Sequence, residues 1–258
     1  MHALAHFAVL LSPHVSFPQG PMANEEIALR WIHFVSGIIW VGLLYFFNLV
    51  GFPTMRQLDA SVRGRVFPAL MTRAMSWFRW SALVAVLVGL RYFVLLLSAD
   101  AQNAGRSSLA LEWFGWWALV WVAAYAVIYP LQMPHKGLLG SGLVRALAIG
   151  VIVVAASWAT LALIASPSSS NASLSISIGG GLGLLMLLNT WGVVWRVQKR
   201  LIAWTRASVE ESKPMPPEAE RMARWSFLAS RVGFWLSFPM LFFMGAAEHY
   251  PFLSGLAK

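Results

Sequence analysis

Long apolar stretches dominate this sequence and constrain its fold more than any other feature. A transmembrane helix needs about 20 consecutive, mainly apolar residues. Six stretches meet that requirement or come close to it, and each is apolar on most faces, which distinguishes a membrane span from an amphipathic surface helix. We therefore predict an all-α fold, a polytopic integral membrane helix bundle of about six transmembrane helices within residues 23–251. The predicted spans are Ile27–Val50, Ser81–Leu97, Trp113–Tyr129, Leu143–Ala165, Ile176–Val194 and Phe227–Met244.

The composition supports lipid as the main surroundings of the chain. Hydrophobic residues make up 59% of the sequence and charged residues only 11%, whereas a soluble domain carries about 25% charged residues. The formal net charge of +9 would suit a nucleic-acid-binding protein, but the basic residues lie between the apolar stretches and not along one face. We predict a lipid bilayer as the partner of the chain and no binding to nucleic acid.

The basic residues also predict the orientation of the helices, because Lys and Arg concentrate on the cytoplasmic side of membrane proteins. The first, third and fifth connections between the predicted spans contain several of them, while the second contains only Arg106 and the fourth contains none. The odd connections are therefore predicted to be cytoplasmic. Both termini are predicted to lie on the periplasmic or outer side of a bacterial-type inner (plasma) membrane.

The two ends of the chain lie outside the predicted bundle. Residues 1–22 contain a short apolar run without a positive flank, which is too short to span a membrane and unlike a signal peptide. Met22 begins a segment that resembles an ordinary start, so residues 1–22 are either an N-terminal extension or the result of a mis-assigned start codon. Residues 252–258 are predicted to form a short outward-facing tail.

Cysteine is absent from the sequence. Disulfides, thiolate metal sites, iron–sulfur clusters and covalently attached c-type haem are therefore excluded for this chain. Metal or haem ligands must come from His, Met, Tyr or carboxylate side chains. The sequence contains no nucleophile elbow, phosphate-binding loop or zinc-protease motif, and it identifies no catalytic residue.

His33 is the first candidate for ligand binding. A polar side chain inside a membrane span costs free energy and therefore often has a functional role. Gly37 lies one helical turn further along the same face, and a small residue beside a histidine leaves room for a flat macrocycle such as haem b. The pattern is equally typical of a buried histidine that donates a hydrogen bond to a neighbouring helix, with Gly37 serving close helix packing.

His249 follows the sixth predicted span and lies, like His33, towards the outer side in the predicted topology. The two histidines can therefore share a depth in the membrane, which a bis-histidine haem or a histidine metal site requires. His135 is predicted on the cytoplasmic side, as a loop histidine near lipid headgroups. The other three histidines precede Met22.

Arg91 falls well inside the second predicted span. An arginine at that depth must extend to the headgroups, pair with a carboxylate, or hold an anion such as a haem propionate. Since its helix runs outward, Arg91 is predicted on the same side as His33 and His249.

Two of the predicted cytoplasmic connections contain helical patterns. The segment Thr54–Arg79 mixes apolar residues with arginines at near-helical spacing, and is predicted to lie on an anionic leaflet as an amphipathic stretch interrupted by Pro68. The fifth connection is predicted to extend the preceding helix and then to form a flexible turn that contains Pro214, Pro216 and Pro217. Neither pattern requires a specific function.

Several segments match the order and position of motifs in one known family. The first predicted helix, LRWIHFVSGIIWVGLLYFFNLV, resembles the opening helix of the membrane domain of cytochrome-c-linked urate hydroxylases, the urate oxidase N-terminal family. The resemblance extends from Ala28 to Pro251. Its further segments are Ser76–Trp80, Asn189 with Gln198–Arg200, and Pro239–Met244 leading to His249, Tyr250 and Pro251.

The resemblance implies a redox-linked, haem-binding protein of the inner membrane. On this hypothesis His33 and His249 bind haem b, with Arg91 near a propionate. Full-length relatives resemble this chain fused to a C-terminal cytochrome c domain. Without cysteine, this chain is expected to lack that domain and to pass electrons to a separate cytochrome partner.

Two departures from the family pattern motivate an alternative. The family's polar run with a histidine before the last helix is Ser230–Gly233 here, without a histidine, and Ser81 stands where another polar residue is expected. The alternative function is a non-catalytic accessory subunit of a larger membrane protein complex.

Overall fold

Six long helices account for the predicted spans. The computed structural model describes residues 20–256, so the histidines before Met22 and most of the proposed extension over residues 1–22 lie outside the described residues. Each predicted span coincides with one helix, except that Ala165 lies just beyond the end of the fourth. The all-α membrane bundle is confirmed. The helices are α1 (Pro21–Gln57), α2 (Ala60–Asn103), α3 (Leu109–Leu131), α4 (Gly142–Ile164), α5 (Asn171–Glu210) and α6 (Ala219–His249).

Helix α5 forms the centre of the bundle. Inside the protein, 72% of its most apolar window is buried, compared with 22–33% for the other five helices. It packs mainly against α6, α2 and α3. Its first half, from Ser173 to Gly183, is rich in serine and glycine, and small residues allow neighbouring helices to approach closely in a membrane.

The contact between α3 and α5 shows how small residues permit this burial. A Cβ atom on Gly181 would lie 1.9 Å from Cε2 of Trp121, whose side chain is completely buried. One turn away, the Nε1–H of Trp117 donates to the carbonyl oxygen of Ser177 at 2.7 Å. The bulky side of this interface is therefore on α3, and the small side is on α5.

Helices α2 and α5 continue beyond the predicted spans as an antiparallel pair. Gly64 near the start of α2 lies against Val209 near the end of α5. Between them, the guanidinium of Arg79 lies 3.8 Å from the ring centre of Trp195, and Trp191 donates its Nε1–H to the carbonyl oxygen of Arg79 at 3.1 Å. These contacts fix the N-terminal half of α2 against the end of α5, which confirms the predicted extension of the fifth helix.

The predicted interruption at Pro68 is wrong. Helix α2 runs through this residue without a break, and the Pro68 ring is buried. A proline inside a helix removes one backbone hydrogen bond, a cost that the packing of α2 against α1 and α5 offsets. The chain breaks earlier instead, at Leu58 and Asp59 between α1 and α2.

Contacts between the helices define two ends of the bundle. Helices α1, α3 and α5 begin at one end, here named the His249 end, where α6 finishes. The opposite end, here named the basic end, carries the connections after α1, α3 and α5 and most of the Lys and Arg residues of the chain. The connections that are rich in Lys and Arg in the sequence thus lie together at one end of the bundle.

Candidate functional site

His33 lies between α1 and α2, half-buried, and its Nδ1 atom is 2.8 Å from the backbone carbonyl oxygen of Ala85. Since a carbonyl oxygen only accepts hydrogen bonds, Nδ1 carries the ring proton in this arrangement. The lone pair of Nε2 is then available. A backbone carbonyl that fixes the tautomer is the usual support for a histidine that binds metal through its other nitrogen.

Two glycines near His33 in the fold have different surroundings. A Cβ atom on Gly89 would lie 2.9 Å from Cε1 of His33, so the imidazole packs directly on the backbone of α2. A Cβ atom on Gly37 would meet nothing within 4 Å. Gly37 therefore does not serve close helix packing within the described chain, and it leaves space one turn away from His33. Sequence reasoning identified Gly37 but missed Gly89.

Arg91 pairs with a carboxylate, one of the three alternatives that the sequence allowed. Its Nε atom lies 2.7 Å and its Nη2 atom 3.1 Å from the two carboxylate oxygens of Glu25. Glu25 precedes His33 by two turns of α1, about 12 Å along the helix axis. The pair is half-exposed, and it holds the guanidinium towards the His249 end, away from the His33 ring.

His249 is the last residue of α6, and its side chain is exposed. Among the described residues, the neighbouring Glu248 makes polar contacts with other helices, whereas His249 makes no hydrogen bond or ion pair. The Oε1 atom of Glu248 accepts a hydrogen bond from Tyr92 at 3.2 Å and lies 3.5 Å from Nη1 of Arg30. Glu248 therefore joins α6 to α1 through Arg30, which lies one turn before His33, and to α2 through Tyr92.

The predicted ligands thus occupy the same end of the bundle but have separate partners. Within residues 20–256, no group of three or more His, Asp and Glu side chains is placed to hold a metal ion. His135 lies at the basic end, with Nε2 2.8 Å from the carbonyl oxygen of Pro130. Its predicted separation from His33 and His249 is confirmed.

A second polar cluster, which sequence reasoning did not assemble, lies in the interior. Helix α1 is π-helical over Phe46–Gly51 and helix α5 over Thr190–Val194. π-Helical turns occur frequently at functional sites. Asn48 in the first segment donates from Nδ2 to Oγ of Ser230 on α6 at 2.9 Å, and Asn189, just before the second, donates to the carbonyl oxygen of Ala229 at 2.7 Å.

A cavity of about 10 Å³ lies beside this cluster, lined in part by Trp40, Asn189 and Ser230. Nε1 of Trp40 and Oδ1 of Asn189 are buried, and neither has a hydrogen-bond partner among the described residues. The volume is close to the smallest that holds one water molecule. One donor and one acceptor are therefore available beside a space of that size.

Residues from four helices line this cavity. Trp40 comes from the first helix, Phe78 from the segment Ser76–Trp80, and Asn189 from the fifth helix. Ser230 and Gly233, from α6, also line it.

Comparison of the chain with known protein families, with curated proteins and with solved structures finds no match.

Proposed function

We propose that this chain is a haem-binding, redox-linked membrane protein, similar to the membrane domain of urate hydroxylases, in which His33 would supply a nitrogen ligand to haem b. The observation that carries the proposal is the hydrogen bond between Nδ1 of His33 and the carbonyl oxygen of Ala85. It orients the ring and leaves Nε2 free to bind a metal. The same hydrogen bond would also be present if His33 only joined the two helices. Whether Nε2 binds a ligand therefore distinguishes the two interpretations.

The surroundings of His33 fit a flat macrocycle on one side. Gly37 adds no side chain in the space one turn away, and Gly89 lets the ring lie directly against the backbone of α2. The predicted role of Arg91 fits less well, because its guanidinium already pairs with Glu25. His249 is exposed and has no hydrogen bond among the described residues, so it is free to serve as the second ligand.

The residues of the chain would bind and position the group. His33 supplies the nitrogen ligand, Ala85 holds its tautomer, and Gly37 leaves the approach open. Bound haem b supplies one-electron chemistry, whose potential depends on the ligands and on burial. Since the chain has no cysteine, electrons would pass to a separate cytochrome partner, and urate as substrate enters through the resemblance alone.

The proposal includes a location. The concentration of Lys and Arg at the basic end supports a cytoplasmic basic end and a periplasmic or outer His249 end in a bacterial-type inner membrane. His33 would then lie in the outer half of the membrane, within reach of a cytochrome c on that side.

The test is the absorption spectrum of the full chain, expressed in bacterial membranes with haem supplied and purified in mild detergent. We expect a Soret band and a pyridine haemochrome of haem b in the wild type, and loss of both in His33→Ala. His135→Ala is the matched control and should keep the band, since His135 lies at the basic end. A folded, colourless wild type would overturn the proposal, as would a Soret band that His33→Ala leaves intact.

The alternative, an accessory subunit, is favoured by the replacement of the family's histidine run with Ser230–Gly233 on the cavity wall. It predicts a colourless protein that co-purifies with larger membrane proteins in mild detergent. A stable monomer with turnover of its own would count against it.

A further inference from the structure

A lateral groove of about 1,010 Å³ lies between α1 and the N-terminal half of α2, on the side of the basic end. Its wall is mainly apolar. Its residues include Ile38, Gly42 and Leu43 from α1, Arg73 and Trp77 from α2, and Arg206 from α5.

The groove opens onto the outer surface of the bundle. Ile38 is 70% exposed and Trp77 is 65% exposed. A surface of this kind on a membrane bundle faces lipid chains, and tryptophan is enriched where the chains give way to headgroups. The apolar part of the groove is therefore at the right depth for the acyl chains of a lipid.

The two arginines at the groove differ from those at the His249 end. Arg30, Arg91 and Arg106 each lie within 4.0 Å of a carboxylate. Within residues 20–256, neither Arg73 nor Arg206 has such a carboxylate partner. Two unpaired guanidinium groups beside an apolar groove complement a ligand that has an anionic head and an apolar body.

We propose that this groove binds an anionic phospholipid, whose phosphate is held by Arg73 and Arg206 and whose acyl chains lie along Ile38, Leu43 and Trp77. A free phosphate would use the arginines but not the apolar wall. A zwitterionic lipid would bring a cation to two arginines that have no neighbouring carboxylate among the described residues. The proposal does not depend on haem binding.

Binding is measured on the full chain in mild detergent, by native mass spectrometry during titration with phosphatidylglycerol or phosphatidylcholine of identical acyl chains. Since basic residues near a membrane surface favour anionic lipids, we expect phosphatidylglycerol to bind at least about tenfold more tightly. The double variant Arg73→Gln/Arg206→Gln should lose this preference. The double variant Arg196→Gln/Arg200→Gln removes the same charge from exposed positions that do not line the groove, and should keep it.

A second variant tests the apolar wall without removing charge. A Cβ atom on Gly42 would meet nothing within 4 Å, so Gly42→Leu fills groove space without a clash at Cβ. It should weaken binding of both lipids. Gly150→Leu, at another open and exposed glycine on α4, should have no effect.

Three results would overturn the proposal. They are equal affinity for the two lipids, equal losses in the groove variants and their controls, and displacement of phosphatidylglycerol by millimolar inorganic phosphate, which would indicate a small-anion site. Melting temperatures of the variants show whether each is folded. If the arginine variant does not fold, the comparison of Gly42→Leu with Gly150→Leu decides the matter.

Discussion

The imidazole of His33 rests on the backbone of Gly89, because a Cβ atom at position 89 would lie 2.9 Å from its Cε1 and 3.0 Å from its Nδ1. The same Nδ1 atom makes the hydrogen bond to Ala85, one turn earlier on α2. One helical turn of α2 thus determines the orientation of His33. Its Ala85 carbonyl oxygen accepts the hydrogen bond, and Gly89, which has no side chain, leaves room for the ring.

The first prediction follows from this contact. Gly89→Ala should push the His33 ring away from α2 and weaken its hydrogen bond to Ala85. Loss of such a supporting contact lowers metal affinity by about 10–100-fold, so we expect haem affinity to fall by at least about tenfold in a haem titration followed at the Soret band.

The control for Gly89→Ala is Gly115→Ala, where a Cβ atom would meet nothing within 4 Å. It introduces the same methyl group on another long helix and should leave haem affinity unchanged. Equal haem affinity in the wild type and Gly89→Ala would show that the orientation of His33 does not determine binding.

The second prediction concerns two glycines on one helix. Gly181→Ala would place a methyl group inside the indole of the buried Trp121, while a Cβ atom at Gly183 meets nothing within 4 Å. Overpacking in a well-packed core costs about 1–3 kcal/mol or more. Gly181→Ala should therefore reduce the free energy of unfolding by at least that amount, and Gly183→Ala should not. Thermal unfolding in detergent, followed by circular dichroism, measures both, and equal melting temperatures would contradict the α3–α5 packing.

The third prediction concerns the cap of α5. The buried carboxylate of Asp100, near the end of α2, accepts hydrogen bonds from the backbone N–H of Ser170 at 2.9 Å and from the hydroxyl group of Ser173. It thus satisfies polar groups at the N-terminus of the central helix, where negative charge is also favoured. Asp100→Ala should lower the free energy of unfolding by about 1–3 kcal/mol.

Asp59 provides the control for Asp100. It precedes the first residue of α2 but is exposed and makes no capping hydrogen bond with its side chain. Asp59→Ala should change the free energy of unfolding by less than about 0.5 kcal/mol, as is usual for surface substitutions. If the two variants unfold at the same temperature, the carboxylate of Asp100 does not support α5.

The sequence predicted the helices well because their signal is local. Length and hydropathy alone identify a membrane span, so the six windows could be located without knowledge of any contact. The predicted break at Pro68 failed for a related reason. A proline rule is local too, but the helix at Pro68 is maintained by packing against α1 and α5, which no local pattern reveals.

The candidate site was predicted only in part, because it depends on contacts between helices and not on a local signal. His33 could be selected because a histidine inside a span is rare and costly. Its supports could not be selected, since the proximity of Gly89 depends on the register between α1 and α2. In the same way, Arg91 was expected to need a partner, but only the structure identifies Glu25. Of the features visible in the sequence, a glycine within a span is the best indication of such a contact between helices.

The last prediction concerns the interior polar cluster. Asn48 and Ser230 belong to helices far apart in sequence, and their hydrogen bond of 2.9 Å is buried. Hydrogen bonds between helices in a membrane contribute about 0.6 kcal/mol on average and up to about 1.7 kcal/mol. A double-mutant cycle with Asn48→Ala and Ser230→Ala, measured by unfolding in detergent, should therefore give a coupling energy in that range.

Asn48→Ala combined with Ser237→Ala is the matched control for this cycle. Ser237 is buried on the same helix as Ser230, but it forms hydrogen bonds with Tyr45 and with the carbonyl oxygen of Phe234. Distant positions behave additively to within about 0.5 kcal/mol, so coupling with Ser237 as large as with Ser230 would show that the measured coupling does not come from the Asn48–Ser230 hydrogen bond.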